Sequence, residues 1–134
     1  MQHAGRHERS LDGVLMRRLV AYDGSPSAQR ALLHAAELHR DGDDLGLIHV
    51  NGPYESANGH LAEARRTLAS LGIEAVPIEV SGIPAHAICV AAERHAFDTI
   101  VIGRRNLRDA GLVLLGSVAA RVVAGAPGNV IVVA

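Results

Sequence analysis

The sequence predicts a single α/β domain built on a doubly wound, open parallel sheet with helices on both faces. Short runs rich in Val and Ile alternate with longer segments of helical period, the pattern of a parallel sheet covered by helices. Hydrophobic residues make up 49% of the chain and charged residues 20%, a globular balance. A length of 134 residues suits one ordinary domain with its own core and is too short for two.

The elements follow in order. The first strand, Leu19 to Ala21, runs into Asp23-Gly24-Ser25-Pro26, where Ser25 can accept a hydrogen bond from an otherwise unpaired amide and Pro26 fits the first helical position. The helix beyond it turns Ala28, Ala31, Leu32, Ala35 and Leu38 inward. Leu45 to Val50 reads as the second strand. A loop with Gly52, Pro53 and Gly59 then leads to a helix carrying Leu61, Ala64, Leu68 and Leu71 at helical spacing, ended by Gly72. The third strand, Ala75 to Val80, contains Pro77, which cannot donate to a ladder and so puts this strand at an edge. The third helix, about Pro84 to His95, offers Ile88, Ala91 and Ala92 to the sheet, with Cys89 and Val90 beside them. Thr99 to Ile102 is the fourth strand. The fourth helix starts near Gly116-Ser117 and carries Val118, Ala119, Val122 and Val123 before Gly125 and Pro127 stop it. The last strand, Asn129 to Val133, reads as the second edge; apolar and without charge or proline protection, it invites pairing with another copy. Residues 1–16 read as a flexible N-terminal arm and 17–134 as the domain.

Composition excludes several functions. The formal net charge is −1, which supplies no long-range field for a polyanion, and aromatics are only 2%, too few for a base-stacking platform. Nucleic acid is therefore not an expected partner. All 13 basic residues are arginine, which rules out a lysine Schiff base or a phosphate-loop lysine and leaves arginine for anion contacts. The one cysteine, Cys89, cannot form an intrachain disulfide, the segment 1–15 has no apolar core of a secretory signal, and no long apolar stretch spans a membrane. The expected compartment is the cytoplasm.

The stretch richest in chemistry follows the fourth strand: Gly103-Arg104-Arg105-Asn106, nine further residues, then Gly116-Ser117 opening a helix. Gly103 allows a sharp turn off the strand, Asn106 tolerates positive φ, and Gly116 allows close approach at a helix start. Successive amides there can point at one anion, and Ser117 adds a hydroxyl at the positive end of the helix, which suits a phosphate. The spacing alone fits a plain strand-loop-helix connection equally well. A second element, Asp23-Gly24-Ser25, ends the first strand; if strands one and four are neighbours, both loops meet where the direction of strand addition reverses, the place where open α/β sheets bind ligands.

From about Arg17 to Ala134 the chain resembles the universal stress protein family. The fingerprint of that family is glycine, two residues, glycine, nine residues, then glycine with serine or threonine; here it reads Gly103, Asn106, Gly116, Ser117. Further matches are Val20-Ala21-Tyr22-Asp23-Gly24-Ser25, Ile48-His49-Val50, Gly82-Ile83-Pro84, Asp98 to Gly103, and Ala126-Pro127 before Val130-Ile131-Val132-Val133. The resemblance implies a Rossmann-like sheet of order 3-2-1-4-5, a homodimer through the last strand, and a bound adenine nucleotide, ATP or else AMP or ADP, with Mg as a possible companion near Asp23. It implies that Val50 holds adenine through its backbone, that Asp23 lies near ribose, phosphate or metal, and that Gly103, Gly116, Ser117 and the adjoining Val118 surround the phosphates. Ala21 and Tyr22 line the same crevice. Asn106 departs from the glycine of the nucleotide-binding pattern, and Arg104 and Arg105 are available to offset it by pairing with phosphates.

Other chemistries fare less well. His34 and His39 lie about 140° apart around a helix, so they cannot share a metal on one face. His86 and Cys89 could share a face, but a core cysteine beside a surface histidine is the commoner arrangement. His49 reads as a packed strand residue. No Gly-x-Ser-x-Gly elbow occurs, and Glu37, Glu63 and Glu93 lie on helices facing solvent, so no base is placed to activate water and hydrolysis should be weak at most. Three functions stay in view: a nucleotide-binding stress regulator or sensor; a homodimeric interaction module that no longer binds nucleotide, for which Asn106 is the favouring feature; and an enzyme that spends ATP in the same crevice, which the lack of a general base disfavours.

Overall fold

The computed structural model describes residues 14–52, 59–104 and 115–134. Strands and helices alternate along them: β1 (Arg17–Ala21), α1 (Pro26–Leu38), β2 (Asp44–Asn51), α2 (His60–Ala69), β3 (Val76–Ser81), α3 (Pro84–Arg94), β4 (Thr99–Gly103), α4 (Ser117–Gly125) and β5 (Asn129–Val133). All strand pairs are parallel, in the order β3-β2-β1-β4-β5. The chain thus winds outward from β1 in one direction and, after the crossover to β4, in the other.

Strand side chains alternate between two cores. Val20, Leu47 and Val101 pack under α1 and α2 with Ala31, Leu32, Ala64 and Leu68. Leu19, Ile48 and Ile100 pack under α3 and α4 with Ile88, Ala92, Phe97, Ala119 and Val122. Both faces of the sheet are covered, which is why the central strands are apolar at successive positions rather than at alternate ones. A fully buried Leu such as Leu19, Leu47 or Leu68 contributes about 2 kcal/mol relative to exposure.

Pro77 lies on edge strand β3, in register with Leu47 of β2. The expected helix faces are narrower in the structure. Leu71 lies beyond the end of α2 and is 54% exposed, because Gly72 takes a φ of 79° and turns the chain away, so that Ile73 fills the core instead. Val118 and Val123 also face outward, leaving Ala119 and Val122 as the buried pair of α4.

The amino ends of β1, β2 and β4 are tied by charge. Arg18, almost fully buried, pairs with Asp43 at 3.1 Å. The same Asp43 carboxylate accepts the amides of Met16 at 2.9 Å and Arg40 at 3.0 Å. Burial pushes the Asp43 carboxyl up, but these backbone bonds and Arg18 outweigh it and hold the group below its usual range. Arg17 pairs with Asp44 at 2.5 Å and lies over the Phe97 ring, and its amide donates to Asp98 at 2.8 Å. Charged residues at this end maintain the sheet, and the opposite end is left for chemistry.

Candidate functional site

At the carboxyl ends of β1, β2 and β4 lies a cleft of about 420 Å³. It opens where the strand order reverses, between β1 and β4. After Ala21 the chain leaves the sheet through a tight turn, in which the amide of Ser25 donates to Asp23 Oδ1 at 3.0 Å and Gly24 takes a φ of 83°. The positive φ favours glycine here, and the His60 ring packs over the space it leaves, with Cε1 2.5 Å from where a Cβ would fall. Ser25 then caps α1, its hydroxyl accepting from the amide of Ala28 at 3.1 Å, with Pro26 in the first turn.

The cleft has two halves of different character. One is apolar: Ala21, Ile48, Val50 and Ile102 come from the sheet, Pro84 and Ile88 from α3, and Val118 and Ala119 from α4. The other is polar, formed by Asp23, Ser25, Ser27 and His49 together with Gly103, Gly116 and Ser117. Gly116 caps α4 in an extended conformation and makes no side-chain cap bond. Helix geometry leaves the amides of Ser117, Val118 and Ala119 without intrahelical acceptors, and these residues line the cleft. The site therefore pairs a greasy slot with the positive end of a helix. Among the described residues of the lining, Asp23 is the one carboxylate.

Most of the residues singled out from sequence converge here: Ala21, Tyr22, Asp23, Val50, Gly103, Gly116, Ser117 and Val118 all line the cleft. Arg105 and Asn106 lie outside the described residues. Arg104 is not part of the lining; its amide donates to the Val133 carbonyl at 2.7 Å, extending the β4 to β5 ladder. Gly103 has a reason other than a sharp turn. Its φ is not positive, and a Cβ there would collide with Ser27 Oγ and the Ser27 carbonyl group of α1, so glycine lets the helix close onto the strand end.

Three lining features escape sequence reasoning. Ser27 is 7% exposed, and its Oγ has no hydrogen-bond partner. One serine among several near a helix start carries no signal of this burial. His49 is packed as expected, 4% exposed, but its Nδ1 donates to the Tyr22 carbonyl at 2.9 Å and its ring meets that of His60 edge to face at 5.2 Å. A carbonyl can only accept, so the Nδ1 of His49 carries a proton. Tyr22 reaches the other way, its hydroxyl donating to Glu63 Oε1 at 3.0 Å, so exposed Glu63 is engaged at the rim. Burial and then Glu63 push the Tyr22 phenol up to about 12. Among the described residues, no group of three or more His, Cys, Asp or Glu side chains could hold a metal ion.

Fold and cleft define a doubly wound α/β protein with an open cleft at its topological switch point. The universal stress protein family model matches residues 16–71 and 54–134, and the chain belongs to that family. A universal stress protein of Thermus aquaticus, encoded 3' of a sulfhydrylase gene, is 36% identical over 131 residues, covering 86% of this chain and 96% of the relative. A universal stress protein from Archaeoglobus fulgidus superimposes with a TM-score of 0.78 at 27% identity, covering 90% of this chain and 100% of the other. A universal stress protein solved in complex with cAMP matches with a TM-score of 0.75 at 23% identity over 91% and 99% of the two chains. An Arabidopsis thaliana family member with AMP bound matches at 0.66 and 19% identity over 88% and 90%. No helix among the described residues is long and apolar enough to cross a membrane.

Proposed function

We propose that the cleft binds an adenine nucleotide, ATP, ADP or AMP, and that the chain acts as a nucleotide-responsive stress regulator or sensor with little or no hydrolysis. The observation that carries this reading is the two-part cleft: an apolar slot in a cavity of about 420 Å³, continuous with the open amides of α4 where phosphates would gather. The cAMP and AMP complexes of the two structural neighbours support the same class of ligand. In this assignment the Val50 backbone meets the base between Ala21 and Ile88. Asp23 meets the ribose or phosphates, and Ser117 with the α4 amides meets the phosphates. Arg105 and Asn106 adjoin them in sequence. The residues fit a magnesium ion delivered with the phosphates, within reach of Asp23, better than a resident one; it would neutralise phosphate charge. Slow hydrolysis follows from Asp23 being the one described carboxylate in the lining and already accepting the Ser25 amide.

Titration calorimetry of ATP and AMP, with and without magnesium, tests the reading. Micromolar binding by the wild type, weakened in Ser117→Ala, is the expected result. No binding by the wild type, with binding gained in Asn106→Gly, would instead favour an interaction module on a vacated nucleotide fold. The open edge of β5 fits either reading. Asn129 and Val133 exchange bonds with β4 and its extension, so Val130 and Val132 direct their backbone groups to the free edge, where a second copy can pair.

A further inference from the structure

Parallel pairing of β1 with β2 stops one step early. The register runs from Arg17 opposite Asp44 to Ala21 opposite Ile48, and the amide of Tyr22 still donates to the Ile48 carbonyl at 2.9 Å. In a regular parallel ladder the Val50 amide would donate next to the Tyr22 carbonyl, because alternate residues of a strand face the same neighbour. It does not. The Tyr22 carbonyl takes the Nδ1 proton of His49 at 2.9 Å instead. His49 is held for this bond by burial and by the His60 ring at 5.2 Å. Directly beyond Tyr22, the turn through Asp23 and Gly24 lifts the chain away from the sheet. Val50 is consequently left with its backbone edge toward a neighbour strand that has ended, in the wall of the cleft.

We infer that His49 is a positioning residue: by holding the Tyr22 carbonyl out of the ladder, it ends β1–β2 pairing and presents the N–H and C=O of Val50 to the ligand. This rests on the nucleotide reading for the identity of the ligand and on the geometry of His49, Tyr22 and Val50 for the rest. An edge that donates and accepts side by side complements a base whose own edge carries an acceptor beside an amino group, as adenine does at N1 and N6. It opposes hypoxanthine, whose N1–H and O6 reverse the pattern. His49 would thereby determine base selectivity without touching the base.

The test compares wild type, His49→Phe and His49→Asn in the full chain. Phenylalanine keeps the ring but loses the donor, whereas asparagine places an amide nitrogen at the same bond distance from the backbone as Nδ1. The first readout is ligand-free amide exchange by NMR. Val50 should exchange rapidly in wild type and His49→Asn, and at least about tenfold more slowly in His49→Phe as its amide closes onto Tyr22. The second is binding of AMP against IMP by calorimetry. His49→Phe should lose about tenfold in AMP affinity and most of the preference over IMP, and His49→Asn should recover both. A Val50 amide already protected in wild type, or exchange rates equal in wild type and His49→Phe, would overturn the inference. So would AMP affinity and selectivity unchanged in His49→Phe. If the wild type binds neither nucleotide, the nucleotide reading fails while the exchange comparison still decides the role of His49. Should His49→Phe fail to fold, Val50 exchange in wild type and in His49→Asn decides it.

Discussion

Gly103→Ala separates two explanations for a glycine at the end of β4. If glycine were there to turn the backbone, alanine would be tolerated, because the φ at this position is not in the left-handed region. If it is there for close approach, alanine must displace α1. A Cβ at position 103 would meet Ser27 Oγ, the Ser27 carbonyl oxygen and, at 2.6 Å, its carbon. Those backbone atoms belong to the first turn of α1, anchored by the Ser25 cap and by buried Ala28 and Ala31, so they cannot swing aside as a side-chain tip would. Overpacking of this kind costs about 1–3 kcal/mol. Loss of glycine's freedom in the unfolded chain returns about 0.4–1 kcal/mol. The net expectation is a destabilisation of about 1–2 kcal/mol, or roughly 3–8 °C in Tm for a domain of this size. Urea unfolding followed by circular dichroism should show a lower midpoint with an unchanged slope. Adding Ser27→Ala should recover only part of the loss, since it removes Oγ and leaves the carbonyl. A Gly103→Ala variant as stable as the wild type would refute the close-approach explanation.

Tyr22→Phe should cost about 1 kcal/mol through loss of the hydrogen bond to Glu63. Because the folded Tyr22 pKa is raised from 10.0 to about 12, its contribution is complete below pH 10 and is lost as the pH rises from there toward 12. An ultraviolet titration of the two tyrosines, Tyr22 and Tyr54, should show a late phase that Tyr22→Phe abolishes. Asp43 behaves oppositely: its folded pKa lies below the ordinary value, so its contribution is present above about pH 4 and is lost as the pH falls through the lowered value. Asp43→Ala, which leaves buried Arg18 without this partner, should destabilise by roughly 3 kcal/mol in urea at pH 7, and a stability equal to wild type would contradict the pairing. If a second copy pairs on β5 as proposed, light scattering should report a dimer for the wild type and a monomer that still unfolds cooperatively for Val132→Pro, which removes an amide facing the open edge and none facing β4; a monomeric wild type would refute the pairing.

Fold class, element order and most of the cleft were legible in the chain because they rest on local rules. Alternating apolar strands and helical segments dictate the layers, Ser25-Pro26 dictates where α1 begins, and Pro77 excludes a central place for β3. Asp23 and Ser117 stand at strand and helix ends, where ligand chemistry in open sheets is concentrated, so their convergence could be anticipated from neighbouring strands alone. Periodicity overreached where burial depends on what lies opposite. Leu71 carries the right spacing but lies beyond the end of α2, and on α4 only Ala119 and Val122 are covered by the sheet, leaving Val118 and Val123 exposed.

By itself, then, the sequence determined the order of elements, the two apolar faces of the sheet and the positions where strands meet helices, since each depends on residues a few places apart. Only the tertiary structure decided which groups serve the cleft across long separations. It brought Ser27 against Gly103, Tyr22 to Glu63, and His49 to the Tyr22 carbonyl. Those contacts join residues 27 to 76 positions apart in the chain, and neither propensity nor periodicity carries information over such distances; the packing of helices on a twisted sheet does.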